Sequence, residues 1–313
     1  MHFFRIFLYP FDISLELLRE STLYFGYNPR LCFNAAHSVG VLKMKTEEVM
    51  SRIRDVPVRR INIPRLLHSC QLGDSISHSI FVFFPRNKDR IFVKCNFGVV
   101  SPWALDHLLS LCETQQADAA ADFYKYIEGV SEAASLWGHV FKRLALNHFD
   151  GIGPKHKFSL RGLTIPGKMT WSIRSRIRRF NFRRDLDFID EITKAVREKE
   201  SLHLVPFSRN FAAVDLIIYD PNGALTCIQV TVRRERDVLV SDLLRIQSWL
   251  RRGTLLGGLC ASENRPWRFI FIVPPDKKPF KSQRLEGDTT RGEWARKVHQ
   301  YVLKLDVVGK RRV

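Results

Sequence analysis

Asp215 lies in the run Ala212-Ala213-Val214-Asp215-Leu216-Ile217-Ile218-Tyr219, surrounded by apolar neighbours. A carboxylate in such a run needs a hydrogen bond, a cation or a metal to offset its lost hydration. Gln229 occupies a second apolar run, Ile228-Gln229-Val230-Thr231-Val232. Between the two runs stands Asp220-Pro221-Asn222-Gly223, a turn sequence. The pattern predicts two neighbouring strands that aim Asp215 and Gln229 at one spot. A carboxylate and an amide oxygen together can ligate a divalent cation. Magnesium is held through one or two carboxylates plus water and substrate oxygens, and it can then polarise a phosphodiester and generate hydroxide. The competing reading is structural: a strand-end carboxylate satisfied by backbone N–H groups or an arginine, opposite an ordinary strand glutamine.

The second chemical signal is positive charge. The stretch Arg174-Ser175-Arg176-Ile177-Arg178-Arg179-Phe180-Asn181-Phe182-Arg183-Arg184 interleaves six arginines with two phenylalanines. Arg233-Arg234-Glu235-Arg236 follows the Gln229 strand directly. Arginine contacts phosphate, and aromatic rings stack on bases. Arg174, Arg176, Arg178, Arg179, Arg183, Arg184, Arg233, Arg234 and Arg236 are therefore the candidate nucleic-acid contacts. The plain alternative is a solvated basic face whose phenylalanines belong to the core. Arg251-Arg252 and Lys310-Arg311-Arg312 add to the charge, and the latter is a short cluster of nuclear-localisation type.

A further motif imitates a phosphate-binding loop. Gly162-Leu163-Thr164-Ile165-Pro166-Gly167-Lys168 has P-loop spacing, and Leu216-Ile217-Ile218-Tyr219-Asp220 resembles a Walker B strand. Against an NTPase, Met169 takes the place of the magnesium-holding Ser or Thr, and Pro166 removes a backbone donor. His107, His139, His148 and His156 have no evident triad partners in the sequence.

The positioning elements follow from periodicity. Helices are expected over 11–25, from about 31, over 46–53 and from Trp103 to Leu111, the last opened by Ser101-Pro102. Strands over 80–84 and 91–95 form a hairpin. The Ala- and Gln-rich segment 113–121 suggests a boundary near 115–130. Beyond it come a helix over 132–149, a strand over 157–163, a charged helix over 185–199, and strands over 202–206, 213–219 and 225–232. A helix over 237–251, a strand over 268–273 and a closing helix over 291–305 complete an α/β arrangement with a mixed sheet.

Composition agrees with a folded, polyanion-seeking chain. The 313 residues carry a net charge of +18, a pI near 10.0 and 45% hydrophobic residues. Such a balance favours nucleic acid over an anionic membrane surface, and the sequence has no apolar run of ~18 residues that would span a bilayer. The apolar start is interrupted by Arg5 and Pro10 and reads as the inside of a domain. Six cysteines without a CxxC pair indicate a reducing, intracellular compartment and no structural zinc.

The run 206–232, with Asn210-Phe211, Val214-Asp215 and Gln229-Val230-Thr231, resembles the C-terminal nuclease-like module of Crinkler effectors and retrotransposon hot spot (RHS) proteins. The segment Gly26-Tyr27-Asn28-Pro29-Arg30-Leu31-Cys32-Phe33 resembles the end of the AAA-type ATPase that precedes it in those proteins. The resemblance implies residues 1–120 as an ATPase remnant, helical with a β-hairpin. It implies residues 130–305 as a restriction-endonuclease-like, PD-(D/E)XK type mixed sheet flanked by helices. It also implies DNA as ligand, an ATPase or host protein as partner, and a nuclear location, within a host cell in the case of a secreted effector. By position it makes Asp215, Gln229 and Thr231 catalytic, with Asp215 and Gln229 as ligands of Mg²⁺.

The chain departs from the family in three places. Lys142, in Gly138-His139-Val140-Phe141-Lys142, stands where the family has a helix acid. Thr231 stands where many relatives have lysine, and Arg236-Asp237 where a histidine is usual. Glu132, earlier on that helix, is spaced wrongly to compensate. Metal-dependent DNA hydrolysis and a catalytically degenerate DNA-binding or interaction module are both open on these residues.

Overall fold

Both polar runs belong to one large sheet, and its strand order explains how they meet. The computed structural model describes residues 13–26, 28–55, 80–85, 95–115, 124–125, 127–128, 133–150, 156–172, 178–182, 184–206, 213–221, 225–275, 279–288 and 292–307. The chain divides into two units between Arg143 and Leu144.

Among its described residues the first unit holds helices and one antiparallel strand pair. Helix α1 (Leu15–Phe25) starts where Ser14 Oγ accepts from Leu17 N, and it stops at Gly26. Gly26 has φ 50°, and a Cβ there would lie 1.8 Å from the Val100 carbonyl oxygen, so glycine is required. Helix α2 (Pro29–Ala35) begins two residues before its expected start, because Asn28 caps Leu31 N and Pro29 suits a first turn. Helix α3 (Val39–Arg54) is longer than expected, opened by a Ser38 cap.

Strand β1 (Phe81–Pro85) pairs antiparallel with β2 (Cys95–Val99). The partner strand thus lies later than the expected 91–95, of which 91–94 fall outside the described residues, as do 86–90. Helix α4 (Pro102–Gln115) is capped as anticipated, Ser101 Oγ accepting from Ala104 N at 3.1 Å. Helix α5 (Ala134–Asp150) runs across the division between the units.

The second unit holds a mixed eight-stranded sheet. In chain order come β3 (Lys157–Gly162), β4 (Lys168–Ser172), β5 (Arg178–Phe182), α6 (Asp185–Glu198), β6 (Leu202–Pro206), β7 (Leu216–Tyr219) and β8 (Thr226–Val230). There follow β9 (Val238–Leu239), α7 (Val240–Arg252), β10 (Trp267–Val273), β11 (Leu285–Glu286), a short α8 (Glu293–Lys297) and β12 (Val298–Lys304). The spatial order is β4-β3-β12-β10-β8-β7-β6-β5. The succession α6-β6-β7-β8-α7-β10 is a helix, an antiparallel meander, a second helix, and a strand parallel to β8.

Helices α6 and α7 cover one face. Leu204 of β6, Ile217 of β7, Cys227 of β8 and Phe271 of β10 share a buried cluster with Phe188 and Ile192 of α6 and Ile246 and Trp249 of α7. Phe182 enters it edge-on to Phe188 at 5.3 Å. Fully burying such side chains contributes about 1.5–3 kcal/mol each. Cys227 is part of this packing, and burial pushes its thiol up to about 12, as an inert small hydrophobe.

Two sequence expectations fail here. The closing helix over 291–305 is one short helical turn followed by β12. Val298, Tyr301 and Val302 are buried between parallel β10 and antiparallel β3, a setting that favours β-branched and aromatic residues. The P-loop is a β-hairpin connection: Gly162 N donates to Gly167 O at 2.9 Å, Gly167 takes φ 109°, and Lys168 opens antiparallel β4. The Walker B look-alike is β7, which is antiparallel to both neighbours.

Candidate functional site

The β7–β8 register ends at Leu216↔Ile228, and Asp215, a bend residue just before β7, donates its N–H to Ile228 O as well. Alternation with Cys227 places Gln229 on the face covered by α6 and α7. Asp215 thus meets β8 at Ile228 and Val230, the two residues that flank Gln229 in sequence.

The local chemistry at that spot is hydrogen bonding to the main chain. Asp215 N donates to Ile228 O, and Asp215 Oδ2 accepts from Val230 N, both at 2.8 Å. The carboxylate thereby extends the ladder one position past β7. Asp242, in the first turn of α7, holds the preceding segment through Ala213 N at 2.9 Å. Thr231 N donates to Ile272 O at 2.9 Å, and Thr231 Oγ1 accepts from Arg233 N at 3.0 Å. Asp215, Gln229 and Thr231 are 7%, 0% and 4% exposed.

These donors fit magnesium poorly. The pair supplies one carboxylate, with an oxygen already engaged by Val230, and one fully buried neutral amide. Magnesium keeps several waters, which a closed strand pair does not admit. Among the described residues no group of three or more His, Cys, Asp or Glu side chains is arranged to hold a metal.

The helix that leads into the β6-β7-β8 meander is α6, not the helix carrying Lys142. Lys142 is on α5, ahead of the β3–β4 hairpin. Glu132 lies outside the described residues. Of the acids on α6, Glu191 pairs with Arg178, and Asp187 takes Arg184 at 2.7 Å.

The arginines separate into two sets. Arg178 and Arg179 are on edge strand β5, and Arg184 precedes α6; Arg174, Arg176 and Arg183 lie outside the described residues. Phe182 is in the core, so its ring is not free to stack on a base, and Phe180 is half-buried against the same cluster. Arg233 and Arg234 are exposed on the loop that follows β8, and Arg236 is half-buried. That second set is adjacent in sequence to Gln229 and Thr231; the first is three strands away across the sheet.

The residues that fix this loop are absent from the sequence reading. Gln283 Oε1 accepts from Arg236 N at 2.6 Å, and Gln283 N donates to Gln300 Oε1 at 2.8 Å. Gln300 in Val298-His299-Gln300-Tyr301-Val302 carries the same signal as Gln229, a lone amide in an apolar run. His203 also escapes notice. It is fully buried on β6, neither ring nitrogen has a hydrogen-bond partner, and burial with Arg179 nearby pushes its pKa down to about 4. Burial likewise lowers His148, whose ring is 6.3 Å from that of His156.

No protein-family model, curated protein or solved structure matches the chain. Among the described residues no helix is long and apolar enough to cross a membrane.

Proposed function

We propose that the second unit is a nucleic-acid-binding module on a restriction-endonuclease-like frame, with DNA as its ligand. The observation that carries this reading is the exposed Arg233 and Arg234 on a loop that leaves β8 where its polar residues close over. The +18 charge of the chain supports it, since neutralising phosphates releases counterions. The α-β-β-β-α-β succession, with Asp215 bonded to the strand that carries Gln229, is in keeping with the PD-(D/E)XK type and supports the Crinkler/RHS resemblance. In this reading the first unit descends from an ATPase module, and the protein works in a nucleus as an effector-like pseudoenzyme.

A second reading is Mg²⁺-dependent cleavage of DNA, favoured by the placement of Asp215 against the residues that flank Gln229. The test is plasmid and single-stranded DNA incubated with Mg²⁺ or Mn²⁺, wild type against Asp215→Asn, which keeps an oxygen for Val230. The expected outcome is no cleavage by either protein, together with binding that weakens as salt rises. Metal-dependent cleavage lost in Asp215→Asn establishes the enzyme instead. The absence of salt-dependent binding retires both readings in favour of a protein-interaction module.

A further inference from the structure

The loop from Thr231 to Val238 is held by its backbone while Arg233 and Arg234 are exposed. Thr231 Oγ1 accepts from Arg233 N at 3.0 Å, Gln283 Oε1 from Arg236 N at 2.6 Å, and Arg284 O from Val238 N at 2.9 Å. Beyond that point β9 pairs with β11. Gln283 is itself fixed from β12. Its backbone N–H donates to Gln300 Oε1 and its carbonyl accepts from Gln300 Nε2, both at 2.8 Å. Its own Nε2 donates to Lys281 O at 2.6 Å. The two side chains are 7% and 2% exposed, so both ends of two buried amides are committed to main chain. A buried amide rarely persists without such partners; here the partners all belong to residues 281–283 and the arginine loop.

We propose that Gln283, backed by Gln300, is the positioning residue of a preorganised phosphate clamp whose contacts are Arg233 and Arg234, fitted to the backbone of double-helical DNA. The proposal rests on the nucleic-acid reading of this loop. A loop fixed at three backbone points presents two guanidinium groups from a base that does not need to be ordered on binding. A fixed base matches phosphates whose spacing is also fixed, as along a duplex. A single strand adapts its own spacing and gains little from the clamp.

The experiment measures affinity of the full chain for a short duplex and for one of its strands across a salt series. Wild type is compared with Gln283→Leu and with the double variant Arg233→Ala, Arg234→Ala. Gln283→Leu is expected to weaken duplex binding on the order of tenfold at fixed salt. The slope of log affinity against log salt stays near wild type, because the same arginines still reach phosphate, and single-strand affinity changes less. The double arginine variant flattens the slope by about 0.9 per lost contact. Thr231→Val frees the other end of the loop and replaces Gln283→Leu where that variant does not fold. A folded Gln283→Leu with wild-type duplex affinity overturns the proposal, as does a slope as flat as that of the arginine variant. An equal loss on single strand overturns the duplex assignment. A wild type without salt-dependent binding overturns the nucleic-acid reading itself, whatever the variants do.

Discussion

Gln229 on β8 and Thr231 just past its end are closed in at 0% and 4% exposure, whereas a few residues later Arg233 and Arg234 stand in solvent. The two regions use polarity for different ends. Inside, short acceptors such as Asp215 and Thr231 take backbone N–H groups that the sheet leaves over. Outside, long cations keep their charge hydrated and available. A buried polar group is tied to stability through the cost of leaving its partner unsatisfied. An exposed arginine affects stability little and acts on long-range attraction. Substitutions in the two regions therefore move different observables.

The largest effect is expected from a buried group without a hydrogen-bond partner. The pKa of His203 in the fold, about 4, lies below its ordinary 6.5, so the unfolded chain takes up a proton first as pH falls. The stability associated with the neutral ring is complete above pH 6.5 and is lost as pH drops to about 4. This amounts to about 3 kcal/mol. Urea unfolding at pH 7 and pH 4 measures it, and His203→Leu removes that part of the acid lability. Equal acid loss in both proteins sinks the assignment to His203.

Asp215→Ala comes next. It strips the acceptor from Val230 N–H and is expected to destabilise by about 2 kcal/mol, with Asp215→Asn losing less. The denaturant midpoint reports this, while the salt slope of DNA binding stays unchanged. A full-size loss in Asp215→Asn indicates instead that the negative charge matters, which reopens the metal reading.

The smallest stability effect belongs to the double variant Arg233→Ala, Arg234→Ala, expected within about 0.5 kcal/mol by thermal melting. A large drop in melting temperature breaks the division between the two regions.

The sequence is informative where interactions are local. Asp220-Pro221-Asn222-Gly223 and the apolar runs beside it identify β7 and β8, and helical periodicity finds α6 and α7. It fails where the deciding partner is distant. Arg296 and Lys297 suit a helix, and α8 uses them, but Val298 to Lys304 pair with β10 and β3, which lie far upstream. Gly162 to Lys168 has the spacing of a phosphate loop, yet the pairing of β3 with β4 turns it into a hairpin. The adjacency of the strands next to Asp215 and around Gln229 was legible from the apolar runs and the turn residues between them. The burial of Gln229 was not, since α6 and α7 supply the cover. Gln283 gave no signal at all: its role depends on Gln300, on another element.

The position of β12 has a consequence for biosynthesis. Residues 298–304 form the only neighbour of β3 besides β4 among the described strands, and they join that hairpin to β10 and the rest of the sheet. During translation the hairpin emerges from the ribosome long before its seat exists. Until β12 is made, this side of the nascent sheet offers an unpaired edge to chaperones and proteases.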